Sequence, residues 1–83
     1  MNWPRMYLGP AVRGSFLTPG RVFANGYPPP VEDAVKQHPD LAELFVSTAE
    51  IAKGRAEIQR TGSRLNTVYN QTNKLIHEGG LHV

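Results

Sequence analysis

Residues 40–78 read DLAELFVSTAEIAKGRAEIQRTGSRLNTVYNQTNKLIHE, and whether this stretch is one rod or several pieces decides the fold. Asp40 follows Pro39 and precedes Leu41-Ala42-Glu43. Its carboxylate can accept from the first backbone N–H groups of a helix while Glu43 reaches back, a capping box with Asp in the Ser/Thr place. No Pro interrupts residues 41–78, and Gly79-Gly80 supplies a C′ residue free to take left-handed geometry. The spacing therefore predicts a helix over 40–78, about 57 Å long from Leu41 onward at 1.5 Å per residue. Acids Glu43, Glu50 and Glu57 precede Arg60, Arg64, Lys74 and His77 along it, the order that a helix dipole favours. The weak point is Thr61-Gly62-Ser63. Its low helix propensity predicts a kink, or else a split into an antiparallel pair over 40–60 and 63–78. So short a connection favours the continuous or kinked rod.

Along that rod Leu44, Ile51, Ile58 and Leu65 stand seven apart, with Thr72 next, the a-position repeat of a left-handed coiled coil. The half-heptad companions Thr48, Arg55, Gly62 and Tyr69 are mostly not Leu, so a self-contained zipper lacks a second layer. The stripe suits either a single amphipathic helix on a partner's apolar surface or a homomeric bundle. Small residues from Ser47 to Gly62 permit close approach of another backbone. Further on, Asn66, Thr67, Asn70, Gln71 and Asn73 surround Leu65, Val68, Leu75 and Ile76, the composition of a partly wet interface. The helix residues expected to bind a partner are Leu44, Ile51, Ile58, Leu65, Val68, Tyr69 and Leu75.

Upstream, residues 31–38 place Val31, Ala34 and Val35 at i, i+3 and i+4, with acids in the first turn and Glu32–Lys36 at i,i+4. This pattern predicts a short helix ending at His38-Pro39. Residues 1–30 differ in kind. They hold every Pro except Pro39, and turn dipeptides recur at Gly9-Pro10, Pro19-Gly20 and Asn25-Gly26 before Pro28-Pro29-Pro30. Each Pro fixes its own φ and pushes its predecessor toward extended backbone, which predicts an extended arm. Trp3, Tyr7, Phe16, Phe23 and Tyr27 are spread through it, with Leu8, Val12, Leu17 and Val22 between. Each aromatic can bury on the order of 150–250 Å² against a partner, so these five are expected anchors. The competing arrangement is that they fold back on the chain's own helix.

The length of 83 residues and the absence of Cys bound the remaining choices. A chain this small is marginal as a lone core, and disulfides cannot assist, so association with protein subunits is the expected remedy. The formal net charge is +2, and Arg5, Arg13 and Arg21 lie in an arm without any acid. Arginines interleaved with aromatics can bind phosphates and stack bases, yet three over 21 residues are sparse, and the same composition marks protein interfaces. No run approaches the roughly 20 apolar residues that span a bilayer. Pro and Gly interrupt any secretory h-region or amphipathic transit helix.

Chemistry is hard to assemble from these residues. His38, His77 and His82 show no helical i,i+4 metal pair; Ser15, Ser47 and Ser63 lack a nucleophile-elbow context; and there is neither a dinucleotide fingerprint nor a phosphate loop. Neither an enzyme nor a metal or cofactor site is expected. The expected fold is mainly α: an arm over 1–30, a short helix over 31–38, a long helix over 40–78 and a tail over 79–83, non-globular and ordered in an assembly. In organisation such a chain resembles minor structural proteins of bacteriophage particles, a likeness of architecture without a shared motif. It implies a virion connector, tail or internal protein, present in several symmetric copies. The alternatives are a supernumerary subunit of an organellar or membrane-associated complex, and a nucleic-acid-binding peptide.

Overall fold

Arg5–Tyr7 form the middle strand, β1, of a three-stranded antiparallel sheet ordered β2-β1-β3, and the rest of the chain is arranged around it. The computed structural model describes residues 3–12 and 17–81; the expectations for Arg13, Phe16, Ser15 and His82 lie outside the described residues. Strand β2 is Val22–Phe23, with Arg5 opposite Phe23 and Met6 opposite Val22. Strand β3 is Phe45–Ser47, with Tyr7 opposite Phe45 and Arg5 opposite Ser47. Pro19-Gly20 makes the return to β2: Gly20 has φ +86°, and the Arg21 N–H donates to the Thr18 carbonyl at 3.1 Å. That is the positive φ a type II turn needs at its third residue, with Pro at its second.

The Pro run starts a helix rather than closing an arm. Helix α1 spans Pro29–Gln37 with Pro in its first positions, where a missing N–H costs no helical bond. Val31 and Ala34 are buried on one face, as the i, i+3 spacing predicts, and Lys36 pairs with Glu32 at 3.3 Å on the other.

The rod expected over 40–78 does not form. Pro39–Leu44 is a 3-10 segment, Phe45–Ser47 is β3, and Thr48–Glu50 is a second 3-10 turn. Only then come helix α2, Ile51–Gln59, and helix α3, Arg64–His77. The reason is tertiary: Phe45 and Val46 suit a pleated, half-buried surface, and β1 offers them a ladder that a helix would forgo. The heptad stripe therefore dissolves, because Leu44, Ile51 and Ile58, and Leu65 stand on three different elements.

The break at Thr61-Gly62-Ser63 is a real turn. Gly62 has φ +86° and the Ser63 N–H donates to the Arg60 carbonyl at 3.1 Å. Ser63 caps α3, its Oγ accepting from the Asn66 N–H at 3.1 Å and donating to the Glu57 carbonyl. At the other end Gly79 has φ +74°, the Gly79 N–H donates to the Ile76 carbonyl and the Gly80 N–H to that of Leu75, the bond pair of a Schellman motif. The tail then brings Leu81 into the core, 7% exposed.

The expected extended arm is corrected as well. Tyr7, Leu17, Phe23, Val31, Leu41, Leu44, Phe45 and Val68 form one buried cluster, drawing on residues 1–30 as well as on the helices. The described chain measures 29 × 28 × 20 Å, about half the length of the rod. It is a mainly helical globule with a small sheet, and no helix among the described residues is long and apolar enough to cross a membrane.

Candidate functional site

The described aromatic anchors Trp3, Tyr7, Phe23 and Tyr27 pack on the chain's own core. Phe45 is their hub, with ring centroids 5.1 Å from Tyr7, 5.6 Å from Phe23 and 5.0 Å from Tyr27; Trp3 stands edge-on to Tyr27 at 5.0 Å. Such tilted and T-shaped pairs add to area burial. Tyr7 is fully buried, its hydroxyl donating to the Pro10 carbonyl at 2.7 Å, and burial pushes its pKa well above the ordinary tyrosine value. Burial raises Tyr27 too, against the opposing pull of Arg5. The hub position of Phe45 is invisible in the sequence, because the residue lies inside the expected helix.

Two of the three arm arginines can be placed. The Arg5 guanidinium lies 5.5 Å from the Trp3 ring centroid and donates to the Phe45 carbonyl at 3.3 Å, while that of Arg21 lies 5.8 Å from the Phe23 centroid. Both groups sit on the chain's own rings. A third, Arg64, joins the start of α3 to the 3-10 segment: its Nε donates to both Glu43 carboxylate oxygens at 2.9 and 3.1 Å, and its Nη2 to Asp40 at 3.0 Å. The expected capping box is thus a carboxylate pair serving Arg64, with no side-chain cap on the segment it begins. The Arg64 hydrogen bond holds the Glu43 carboxyl below its usual range.

Of the helix residues expected to meet a partner, Leu44, Leu65 and Val68 are buried in the chain itself, and Ile51 and Leu75 are half-buried. Leu75 lines a groove of about 260 Å³ between Gln37–Leu41 and α3. Ile58 and Tyr69 come together from different helices in a larger groove, about 510 Å³, whose other walls are Leu8, Pro19 and Gly20, Arg55 and Gln59, and Asn66 and Asn70.

This groove is built by close approach. At Gly54, on the sheet-facing side of α2, a Cβ would lie 2.9 Å from Leu8 Cδ1 and 3.3 Å from Val46 Cγ1, so the missing side chain sets the helix against the sheet. The Asn66 amide donates to the Ile58 carbonyl at 2.8 Å and its oxygen accepts from the Asn70 amide at 3.3 Å. The first of these bonds ties α3 to α2 and so fixes the groove's width. Arg55 reaches the Met6 sulfur, at 3.9 Å. The site combines an apolar floor of Leu8, Ile58 and Tyr69 with a rim of one guanidinium and side-chain amides, a set of groups suited to holding a ligand by contact and hydrogen bonds. Leu8 and the two asparagines are legible in the sequence as apolar and polar residues, but their meeting depends on β1 returning to the helices.

Among the described residues no group of three or more His, Cys, Asp or Glu could hold a metal ion. His38 caps the end of α1, and His77 ends α3. No family model matches the chain, and neither a curated protein nor a solved structure matches it.

Proposed function

We propose that the chain is a small, non-catalytic structural or assembly subunit of a multi-protein particle, docking as a folded wedge. A minor bacteriophage virion component is the first setting to test. The observation that carries the reading is the groove between the Pro19-Gly20 turn, α2 and α3, where Ile58 and Tyr69 are half-exposed beside unburied polar groups. The anchors Trp3, Tyr7, Phe23 and Tyr27 pack within the subunit itself, and the groove offers apolar surface for contact with a neighbour. An arm-and-rod outline no longer supports the virion setting, so that part is tested directly by fractionation.

A tagged chain expressed in its native host should sediment with a large particle on a density gradient. Ile58→Asp, which puts a carboxylate on the groove floor, should move the chain to the top fractions while its helical circular dichroism is kept, because an uncompensated charge buried at an interface is costly. Sedimentation of the wild-type chain as a free 9.2 kDa species in every growth condition defeats the assembly reading. Co-fractionation with a membrane complex replaces the virion with a supernumerary-subunit role.

A further inference from the structure

The groove's chemistry also specifies what it takes. Its volume, about 510 Å³, lies within the roughly 300–1,000 Å³ of sites that hold a drug-sized ligand. That volume admits the side chains of a few peptide residues. Among the described residues no carboxylate lines it. Arg55, exposed on the rim, has five N–H donors and meets the Met6 thioether, a weak acceptor. Asn66 is engaged within the chain and Asn70 spends one amide hydrogen on it, which leaves the Asn70 carbonyl oxygen and second amide hydrogen, with Gln59, at the opening for the backbone of an extended peptide. Among the described residues Arg55 is the one cation in the lining, which suits a carboxylate better than a phosphate chain, since the latter needs several clustered bases.

We propose that this groove binds an extended acidic segment of a partner protein, with an apolar side chain between Leu8, Ile58 and Tyr69 and an Asp or Glu two residues away on Arg55. The inference rests on the assembly reading and names the chemistry of its partner.

The test is nuclear magnetic resonance titration of the full ¹⁵N-labelled chain with a capped octapeptide carrying one Glu two positions before one Leu in a Gly/Ser background. Amide shifts should concentrate at Leu8, Gly20, Ile58, Gln59, Tyr69 and Asn70. Replacing the peptide's Glu by Gln should weaken binding about fivefold, the scale of a partly exposed ion pair, and replacing its Leu by Ala should weaken it further. Arg55→Gln should erase the difference between the Glu and Gln peptides while leaving the rest of the spectrum unchanged, which shows that the fold is intact. Absence of groove shifts at millimolar peptide, equal binding of the Glu and Gln peptides, or the same shifts produced only by an eight-nucleotide thymidine strand each overturn the proposal. If the chain sediments with particles yet fails this titration, the peptide inference falls and the assembly reading survives; the reverse result removes the assembly reading alone.

Discussion

Tyr7 and Gly9 show how much one residue's surroundings decide. A Cβ on Gly9 would lie 2.5 Å from the Tyr7 hydroxyl oxygen and 2.6 Å from Cζ, and the ring is held by Phe45 and by the bond to the Pro10 carbonyl. Gly9→Ala should therefore destabilise the chain by roughly 1–3 kcal/mol, the usual cost of overpacking a core, read as a lower urea midpoint. Tyr7→Phe should cost about 1–3 kcal/mol at neutral pH by leaving a buried carbonyl without its donor. Its pH dependence has a definite sign. Because burial raises the Tyr7 pKa, the native state keeps this proton where the unfolded chain gives it up, so its stabilisation is complete below the ordinary tyrosine value of about 10 and declines as pH rises beyond it. The gap in urea midpoint between wild type and Tyr7→Phe should narrow from pH 8 to pH 11; a constant gap would show that Tyr7 ionises normally. The sequence marks Tyr7 as an aromatic that must be buried, which it is. It cannot show where, because the ring's pocket is made by Phe45, 38 positions away in sequence, and by the absence of a side chain at Gly9.

At the scale of elements, signals in the backbone survive better than those in side-chain spacing. The positive φ of Gly62 and Gly79 is a local demand that few residues meet, so the weak point and the helix stop at these glycines are readable without knowledge of the fold, although the sequence favours a rod through Gly62 and places Pro29-Pro30 in the arm rather than at the start of α1. The Asp40/Glu43 signal is equally local but not unique, since Arg64 offers both carboxylates a charged donor and a strand can begin directly after them. The seven-residue spacing of Leu44, Ile51, Ile58 and Leu65 arises from three elements, two of which bury Leu44 and Leu65 while α2 half-buries Ile51 and Ile58, and a period carries no information about a helix until the helix is continuous. The Arg60–Ser63 turn is the second place where the expected rod is broken, after strand β3, and it can be weakened in two separable ways. Ser63→Ala removes the acceptor for the Asn66 N–H and should cost about 1 kcal/mol. Gly62→Ala forces a Cβ into left-handed backbone, with nothing nearby to clash, and should also cost about 1–2 kcal/mol. Thermal melts of both variants should shift down with their native helical dichroism unchanged. If Gly62→Ala is neutral or stabilising, the turn does not require a left-handed residue at this position.

For the whole molecule the decisive question is whether residues 3–27 are an appendage or a part of the core. An appendage can be removed without harm to the helices; a central strand cannot. Strands β2 and β3 have β1 as their shared neighbour, the Tyr7 N–H donates to the Arg21 carbonyl and the Leu8 N–H to that of Leu44, both at 2.9 Å, and Tyr7, Leu8 and Val12 are at most 8% exposed. Deleting residues 1–12 would strip both edge strands of their partner and open the space under Phe45. The remaining helices, of 9, 9 and 14 residues, are near or below the length of roughly 12–15 at which isolated helices are marginal in water. The truncated chain should therefore lose most of its helical circular dichroism and its cooperative melt together. In the intact chain the amides of Tyr7 and Leu8 should exchange with solvent as slowly as that of Val68 in α3, because a core shared by strand and helix opens as one unit. A truncated chain that stays helical and melts sharply, or fast exchange at Tyr7 and Leu8 beside slow exchange at Val68, would return the first segment to the role of a detachable arm.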